Sequence, residues 1–308
     1  MPTQEMFRQQ ANRTRLIAFT TLLACGALLA LSTNMAKVSN TLGFAQFPYL
    51  TWSLAGATLM LGLLSLAKRQ PLPLKRPALV YYFVAAFLSV AGSNFIFFSA
   101  VSKVGVSFVA LTLSLPPLLT YLGALMLGME SFNRWRAAGV AFALAGAGVL
   151  VMAKWSSATD DRLWILLTLL GPVLLAAGNL YRSSHWPKGA KAESLAPGML
   201  MAATLILALA GSAGPQGIML TDLDGAKTGL LVLQALVFAT QFKLLFILQK
   251  AGGPVFLSLI GAVSAAFGIP VSVALLGEPL LPAIIPAAIF MLVAIVCMLH
   301  GQKQVQAV

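Results

Sequence analysis

Residues 103–130 read KVGVSFVALTLSLPPLLTYLGALMLGME, and residues 250–278 read KAGGPVFLSLIGAVSAAFGIPVSVALLGE. Both stretches begin with lysine and glycine, continue as apolar runs that proline interrupts, and end in glycine and glutamate. The opening lysines are 147 residues apart, and Glu130 and Glu278 are 148 apart. Two such stretches at nearly the same offset predict that the chain repeats itself.

A third match extends the repeat toward the start of each half. Asn34-Met-Ala-Lys37 and Asn179-Leu-Tyr-Arg182 are 145 residues apart and precede the quoted stretches in the same order. Three matches in one order at nearly one offset are better evidence than any single four-residue pattern. The sequence therefore predicts an internal duplication of about half the chain.

The composition identifies the solvent around these stretches. Of 308 residues, 59% are hydrophobic and 9% are charged, against about 25% charged in soluble domains. Twenty-eight charged side chains cannot form the polar surface of a soluble protein of this size, so the apolar surface must face a bilayer. This balance excludes a typical soluble enzyme.

Ten apolar stretches are long enough to be membrane spans. They predict an all-α integral membrane protein with ten transmembrane helices in two inverted five-helix repeats. The predicted spans are Leu16 to Lys37, Phe44 to Ala67, Pro77 to Ser102, Gly105 to Gly128, Trp135 to Lys154, Leu163 to Tyr181, Leu195 to Gly211, Thr228 to Gln249, Pro254 to Gly277 and Leu281 to Leu299.

The predicted organisation is a cytoplasmic segment at 1–15, a first repeat at 16–154, a second repeat at 163–299 and a tail at 300–308. The first span is too long for a signal peptide, and we expect it to be retained. Five spans per repeat is an odd number, so the second repeat must enter the membrane inverted. Inverted halves can exchange conformations and so move the opening of a central site from one face to the other.

The positive charge sets the orientation. The formal net charge is +12, which in a soluble chain would suggest nucleic acid as a partner. Here 14 of the 20 Lys and Arg residues fall on the side that holds both termini, 5 fall on the other side, and Lys243 lies within a span. Cation-rich loops stay cytoplasmic, so we expect both termini in the cytoplasm, the plasma (inner) membrane as the location, and no nucleic-acid partner.

These features resemble the drug/metabolite transporter superfamily, EamA type. The resemblance rests on two five-span halves and on a fourth and a ninth span that carry proline and end in Gly128-Met-Glu130 and Gly277-Glu278. It covers the chain from about Leu16 to Leu299, and it implies secondary transport, often export of small metabolites, through a cavity between the halves. The first span departs from the common pattern, because Ala30-Leu-Ser-Thr-Asn34 stands where many members carry a Trp-Gly pair.

Lys243 is the most costly residue to place in lipid. One interpretation makes it the counter-charge for an anionic group of the solute. The alternative is that its side chain snorkels, since only seven residues, or about 10 Å of helix, separate it from Lys250 at the membrane surface.

Amides supply the other candidate solute contacts. Asn94 and Gln241 lie 147 residues apart at equivalent repeat positions, and both fit either a solute contact or an interhelical hydrogen bond. Asn34 and Asn179 each precede a cation by three residues, which places the amide and the charge on one helix face. Trp52 is a further candidate for the cavity lining or for an aromatic anchor at the membrane interface.

Four charged residues at span ends are candidate gates. Lys37 and Arg182 lie at opposite membrane surfaces in an inverted pair and fit either gating or interface anchoring. Glu130 and Glu278 fit either gating salt bridges or interactions with the N-termini of the following helices. Prolines predict helix breaks near the middle of the fourth and ninth spans, at Pro116, Pro117 and Pro270.

No carboxylate falls within a span. This disfavours proton-coupled efflux of cationic drugs, which in the small multidrug resistance relatives uses a glutamate of the first span. A lysine and several amides suit an anionic or zwitterionic solute better. We therefore predict a secondary-active transporter that exports a small metabolite such as an amino acid by alternating access, with multidrug efflux as a further option.

The competing classes are a membrane-embedded enzyme and a membrane-embedded scaffold or passive channel. The sequence has no metal-ligand motif, no paired aspartates within a span and no phosphate loop, so we expect no enzyme activity, no cofactor and no metal. Cys25 and Cys297 fit small buried apolar residues. Gly139, Ala143 and Ala147 form a small-residue face, for close packing either within the bundle or in a homodimer.

Overall fold

The computed structural model describes residues 4–70, 72–157, 162–213, 217–220, 223–278 and 282–305. These ranges form helices and contain no strand. The helices are α1 (Gln4–Thr41), α2 (Gln46–Ala67), α3 (Arg76–Ala86), α4 (Gly92–Val104), α5 (Val106–Thr112), α6 (Pro116–Met126), α7 (Arg134–Ser157), α8 (Arg162–Ser184), α9 (Ala192–Ser212), α10 (Gly225–Ser258), α11 (Ile260–Leu276) and α12 (Ile284–Val305). A π-helical turn, Phe87–Ala91, joins α3 to α4.

Eight helical stretches are long and apolar enough to cross a membrane. They are Leu16–Thr41, Gln46–Ala67, Arg76–Val104, Val106–Met126, Arg134–Ala153, Arg162–Ser184, Ala192–Ser212 and Gly225–Val255. Two shorter apolar helices, Ile260–Leu276 and Ile284–Met298, follow them. The prediction of an all-α, multi-pass membrane protein is confirmed.

The bundle carries apolar side chains on both its inside and its outside. Leu63, Leu209 and Leu292 are each more than half exposed, as are many other large apolar residues of the outer helix faces. Such a surface suits a bilayer, because contact between an aliphatic side chain and lipid tails has no hydrophobic cost. Inside, the rings of Tyr49, Phe98 and Phe238 pack in series and join α2, α4 and α10 in the main core.

Two glycines with positive φ bend the chain between consecutive spans. Gly105 (φ 88°) separates α4 from α5, and Gly253 (φ 73°) bends α10 near its end. A side chain at either position would be strained in this conformation, which explains why glycine occupies both. The helices that begin after these bends are therefore set at an angle to the spans before them.

Each bend is followed by a second interruption inside the membrane. Residues 113–115 separate α5 from α6, and Pro116 and Pro117 occupy the first turn of α6, where their missing N–H groups cost nothing. In the other half, Leu259 separates α10 from α11.

The expected break at Pro270 is not formed. Helix α11 runs without interruption through Pro270, and the interruption in this span lies earlier, at Leu259. A single proline removes only one backbone donor, and neighbouring packing in a membrane bundle tolerates that loss.

Consecutive spans run in opposite directions, so the ends of α6 and α11 lie on opposite faces of the bundle. We call the face where α1 begins the N-terminal face; it holds Glu130. We call the opposite face the distal face; it holds Lys37 and Glu278.

The small-residue face of α7 packs against α12 of the same chain. A Cβ on Gly139 would lie 2.9 Å from the carbonyl oxygen of Ala294. A Cβ on Gly146, which adjoins Ala147 of this face, would lie 3.1 Å from the carbonyl oxygen of Ala287. The close approach that these residues permit is therefore used within the bundle.

Candidate functional site

A cavity of about 60 Å³ lies near the middle of the bundle, where both interrupted spans cross. The residues around it come from α1, the π turn, α4, position 113 between α5 and α6, the start of α6, α8, α10 and the start of α11. They are Leu29, Ser89, Asn94, Phe97, Leu113, Pro116, Leu175, Asn179, Arg182, Gln241, Phe242, Leu245, Leu257, Ser258, Ile260 and Gly261. The π turn contributes Ser89, in keeping with the frequent occurrence of such turns at functional sites.

Arg182 is the charged residue of this lining, and only 1% of its surface is exposed. Its Nε donates a hydrogen bond to Oε1 of Gln249 at 2.8 Å, and its Nη2 donates to Oδ1 of Asn179 at 2.7 Å. Gln249 is fixed in turn by donating from Nε2 to Oγ of Ser183 at 3.0 Å. Two neutral amides thus hold the guanidinium in place without neutralising its charge.

Three buried polar atoms around the cavity have no hydrogen-bond partner among the described residues. They are Nη1 of Arg182, Oε1 of Gln241 and Oγ of Ser89. A buried polar atom without a partner is costly. One cationic donor, one amide acceptor and one hydroxyl are therefore available to a molecule in this cavity.

The predicted amides divide into two groups. Asn94, Asn179 and Gln241 line the cavity, and a solute contact by any of them stays a prediction. Asn34 does not: its Nδ2 donates to the carbonyls of Ala30 at 2.8 Å and Gly268 at 3.3 Å, which joins α1 to α11. The structure gives Asn34 an interhelical role here.

Lys243 is not among the residues that line this cavity, so this cavity gives no support to the counter-charge interpretation. Two residues along a helix turn the side chain by about 200°, so Lys243 points away from the side where Gln241 lies. It is part-exposed, between the exposed Thr240 and the exposed Lys250. This position fits the snorkelling alternative.

Trp52 also lies away from the cavity. Trp52 is 44% exposed, and its Nε1 donates a hydrogen bond to the carbonyl of Ile218 at 2.7 Å. The indole ties α2 to the segment after α9. This surface contact fits the anchoring alternative for Trp52 better than the cavity-lining one.

Charged residues of α1 and of the segment after α11 meet at the distal face. Glu278 Oε2 lies 3.7 Å from Nζ of Lys37, and Glu278 Oε1 accepts a hydrogen bond from the backbone N–H of Ser107 at 3.0 Å. Below this contact the hydroxyls of Ser107 and Ser272 lie 3.3 Å apart. One carboxylate therefore links α1, α5 and the end of α11.

The N-terminal face has a different arrangement. Oε2 of Glu130 accepts a hydrogen bond from Nη1 of Arg136 at 2.9 Å, and the guanidinium lies 5.3 Å from the ring centre of Tyr121. Arg182, the predicted gate at this end, bonds to Gln249 and Asn179 instead of a carboxylate. Glu130 thus pairs with the first turn of the following helix, α7.

The two interrupted spans meet at Leu113 and Gly261. A Cβ on Gly261 would overlap the carbonyl group of Leu113. That carbonyl has no helical donor three or four residues later, because positions 116 and 117 are both proline. The backbone of α11 therefore packs directly on a carbonyl that has no helical donor at positions 116 and 117.

Gln249 and Ser89 were not among the predicted site residues. A signal for Gln249 does exist in the sequence: Gln234, Gln241 and Gln249 follow each other at intervals of seven and eight residues, which places them on one helix face. All three are buried. No pattern in the sequence indicates the π turn that places Ser89.

Among the described residues, no three His, Cys, Asp or Glu side chains are close enough together to hold a metal ion. The chemistry of the site is that of a single cation with amides and hydroxyls around it.

No family model matches the chain, and no curated protein sequence does. A crystal structure of another protein, described only as a protein, superposes on 95% of this chain and 99% of its own length with a TM-score of 0.64. The two sequences are 19% identical. This similarity establishes a shared fold.

Proposed function

We propose that the chain is a secondary-active transporter of the EamA type, in the drug/metabolite transporter superfamily, which exports a small anionic or zwitterionic metabolite by alternating access. The proposal includes two inverted repeats. It also places the protein in the plasma (inner) membrane with both termini in the cytoplasm. It rests on positions that correspond between the halves and differ in their contacts.

Helix pairing supports the repeats. Helix α1 packs on α10 and α11, and α8, its counterpart, packs on α4 and α6. The pairs α2 with α9, α5 with α11 and α7 with α12 join corresponding spans of the two halves. An inverted pair of five-helix units related by a twofold axis in the membrane plane has this pattern of contacts.

The chain bends support the same correspondence. Gly253 follows Gly105 by 148 residues, Gly261 follows Leu113 by 148, and Glu278 follows Glu130 by 148. Gly261 and Leu113 touch each other. Corresponding residues of two repeats touch where the twofold axis passes, so the proposed axis runs through the crossing of the interrupted spans, beside the cavity.

The observation that carries the proposal is a difference between the two corresponding span ends. Glu278 contacts the other half of the chain, whereas the carboxylate of Glu130 contacts the helix that follows it. Glu278 binds the N–H of Ser107 and lies beside Lys37. The corresponding contacts would join Glu130 to Val255 and to Arg182, but Glu130 binds Arg136. A Cβ on Gly105 would overlap Glu278, whereas one on Gly253 would meet nothing within 4 Å.

This asymmetry is the pattern of a carrier in one of its two states. The distal face is closed by Glu278, and the N-terminal face has released the corresponding contact. The cavity is also much smaller than the roughly 300–1,000 Å³ of typical ligand sites, so the helices around it must separate to admit a solute. If the Glu278 contacts broke and the corresponding contacts of Glu130 formed, the cavity would open to the distal face.

Counterflow in liposomes tests the proposal. Liposomes with purified protein are loaded with an unlabelled solute, and transient uphill uptake of the same labelled solute is measured for amino acids, hydroxy acids and nucleotides in turn. A carrier accumulates its solute transiently, and a passive channel or scaffold does not. A reducible cross-link in a Lys37→Cys/Glu278→Cys variant should stop the uptake, and reduction should restore it; equilibration without accumulation would contradict the proposal.

A further inference from the structure

Arg182 is a buried cation with one hydrogen-bond donor that no described residue uses. Its residue surface is 1% exposed, its two hydrogen-bond acceptors are neutral amides, and its Nη1 has no partner among the described residues. A buried charge that no opposite charge balances is costly. The described salt bridges are Lys37 with Glu278 and Arg136 with Glu130, and neither includes Arg182.

We infer that Arg182 binds the carboxylate of a monoanionic solute, and that Gln249 and Asn179 are positioning residues that hold its guanidinium for this contact. The inference rests on the proposed function, since it names the solute class of the same cavity. It also chooses between the anionic and the zwitterionic solute.

The charge of the lining favours a monoanion. The cavity lining contains one cation, Arg182, and no carboxylate. A carboxylate of charge −1 balances this cation, whereas a phosphate monoester carries about −1.5 to −2 at pH 7. An amino acid would bring an ammonium group for which the lining has no counter-charge.

The neutral polar groups indicate the rest of the solute. Oε1 of Gln241 accepts hydrogen bonds and has no described partner, so it suits a hydroxyl or amide donor. Phe97, Phe242 and Leu245 supply apolar surface. The geometry therefore fits a short monocarboxylate with a neutral donor and an apolar side chain, such as a 2-hydroxy acid.

Gln249 matters because its amide is neutral. Its Oε1 accepts the Nε–H of Arg182 at 2.8 Å, and it is itself 4% exposed. A carboxylate of the same size at this position would keep the hydrogen bond but neutralise the guanidinium. The neutral amide leaves the charge available to the solute.

Binding to the purified full-length protein in detergent tests the inference with three matched probes. They are 2-hydroxy-3-methylbutanoate, its uncharged primary amide, and valine, which replaces the hydroxyl with ammonium. The measurement is calorimetric affinity together with the rise in melting temperature on ligand addition. We expect the hydroxy acid, or a longer or shorter member of that series, to bind at least about tenfold more tightly than either analogue.

Two variants examine the named residues. Gln249→Glu and Arg182→Gln should each weaken binding of the hydroxy acid at least about tenfold. Lys243→Gln, which removes a cation outside the cavity, is the matched control and should leave the affinity unchanged. The melting temperature of each variant without ligand shows whether it is folded.

Equal or tighter binding of valine or of the amide would overturn the inference. So would unchanged affinity in folded Gln249→Glu protein, or the absence of binding throughout the hydroxy acid series in wild-type protein. The proposed function fails separately: a hydroxy acid that binds through Arg182 but shows no counterflow leaves the site in place and contradicts the carrier.

Discussion

Gly261 packs so closely on Leu113 that a single added carbon would overlap the Leu113 carbonyl. The contact joins the two interrupted spans at the cavity, since both residues belong to its lining. Two features of the sequence create it: the paired prolines at 116 and 117, which leave the carbonyl without a helical donor, and a glycine in the facing helix.

Gly261→Ala should destabilise the protein by about 3 kcal/mol, since overpacking against backbone cannot relax through a rotamer change. The measurement is the melting temperature in detergent. Gly229→Ala is the matched control, because a Cβ on Gly229 meets nothing within 4 Å, and it should match or exceed the wild-type stability. Equal melting temperatures for the two variants would contradict the close contact.

Tyr49→Phe should lower the free energy of unfolding by about 1–3 kcal/mol. The Tyr49 hydroxyl donates to Oε1 of Gln234 at 3.1 Å, and Gln234 donates to Oγ of Ser32 at 2.8 Å. Loss of the hydroxyl leaves a buried amide oxygen without its donor. Tyr82→Phe removes a buried hydroxyl that has no partner among the described residues, and this variant should lose no stability. Thermal unfolding of the two variants side by side checks the difference.

Lys243 and Arg182 should respond in opposite ways to replacement by leucine. Lys243→Leu removes a charge from a part-exposed position on α10 that is outside the cavity lining, so the melting temperature should stay the same or rise. Arg182→Leu leaves the acceptor oxygens of Gln249 and Asn179 without their donor, so the melting temperature should fall. A loss of stability in Lys243→Leu as large as that in Arg182→Leu would place Lys243 in a specific buried contact.

Much of the fold follows from periodicity and composition, because a bilayer makes strict demands on them. A span must be long and apolar, and it must satisfy its own backbone, so apolar runs such as those that became α2 and α9 are visible in the sequence. The paired prolines at 116 and 117 also mark an actual interruption. Pro270 does not, because a lone proline leaves one carbonyl free and neighbouring helices can accommodate it.

The site was harder to predict, because the sequence shows which residues are costly in lipid but not which way they point. Lys243 is as prominent in the sequence as Arg182, yet Arg182 lines the cavity and Lys243 does not. A helical register counted from Gln241 would have placed Lys243 on a different face of its helix from Gln241. The partner of Glu130, Arg136, is six residues away, and the matching residue names at 130 and 278 do not show that the two glutamates bind different partners.

The most direct test of alternating access is the reactivity of two reporter cysteines with a membrane-impermeant maleimide applied from each side. Ser272→Cys lies beneath the Lys37 and Glu278 contact, and Ser258→Cys lies at the cavity. Both are introduced separately into a chain in which Cys25 and Cys297 are replaced by alanine.

In this background, Glu278→Gln should raise the labelling of Ser272→Cys from the distal face and lower that of Ser258→Cys from the N-terminal face. Glu130→Gln, the matched control, should not raise labelling at the distal face. Such reciprocal change is the result that alternating access predicts. Labelling that rises at both positions together, or that Glu278→Gln leaves unchanged at both, would contradict it.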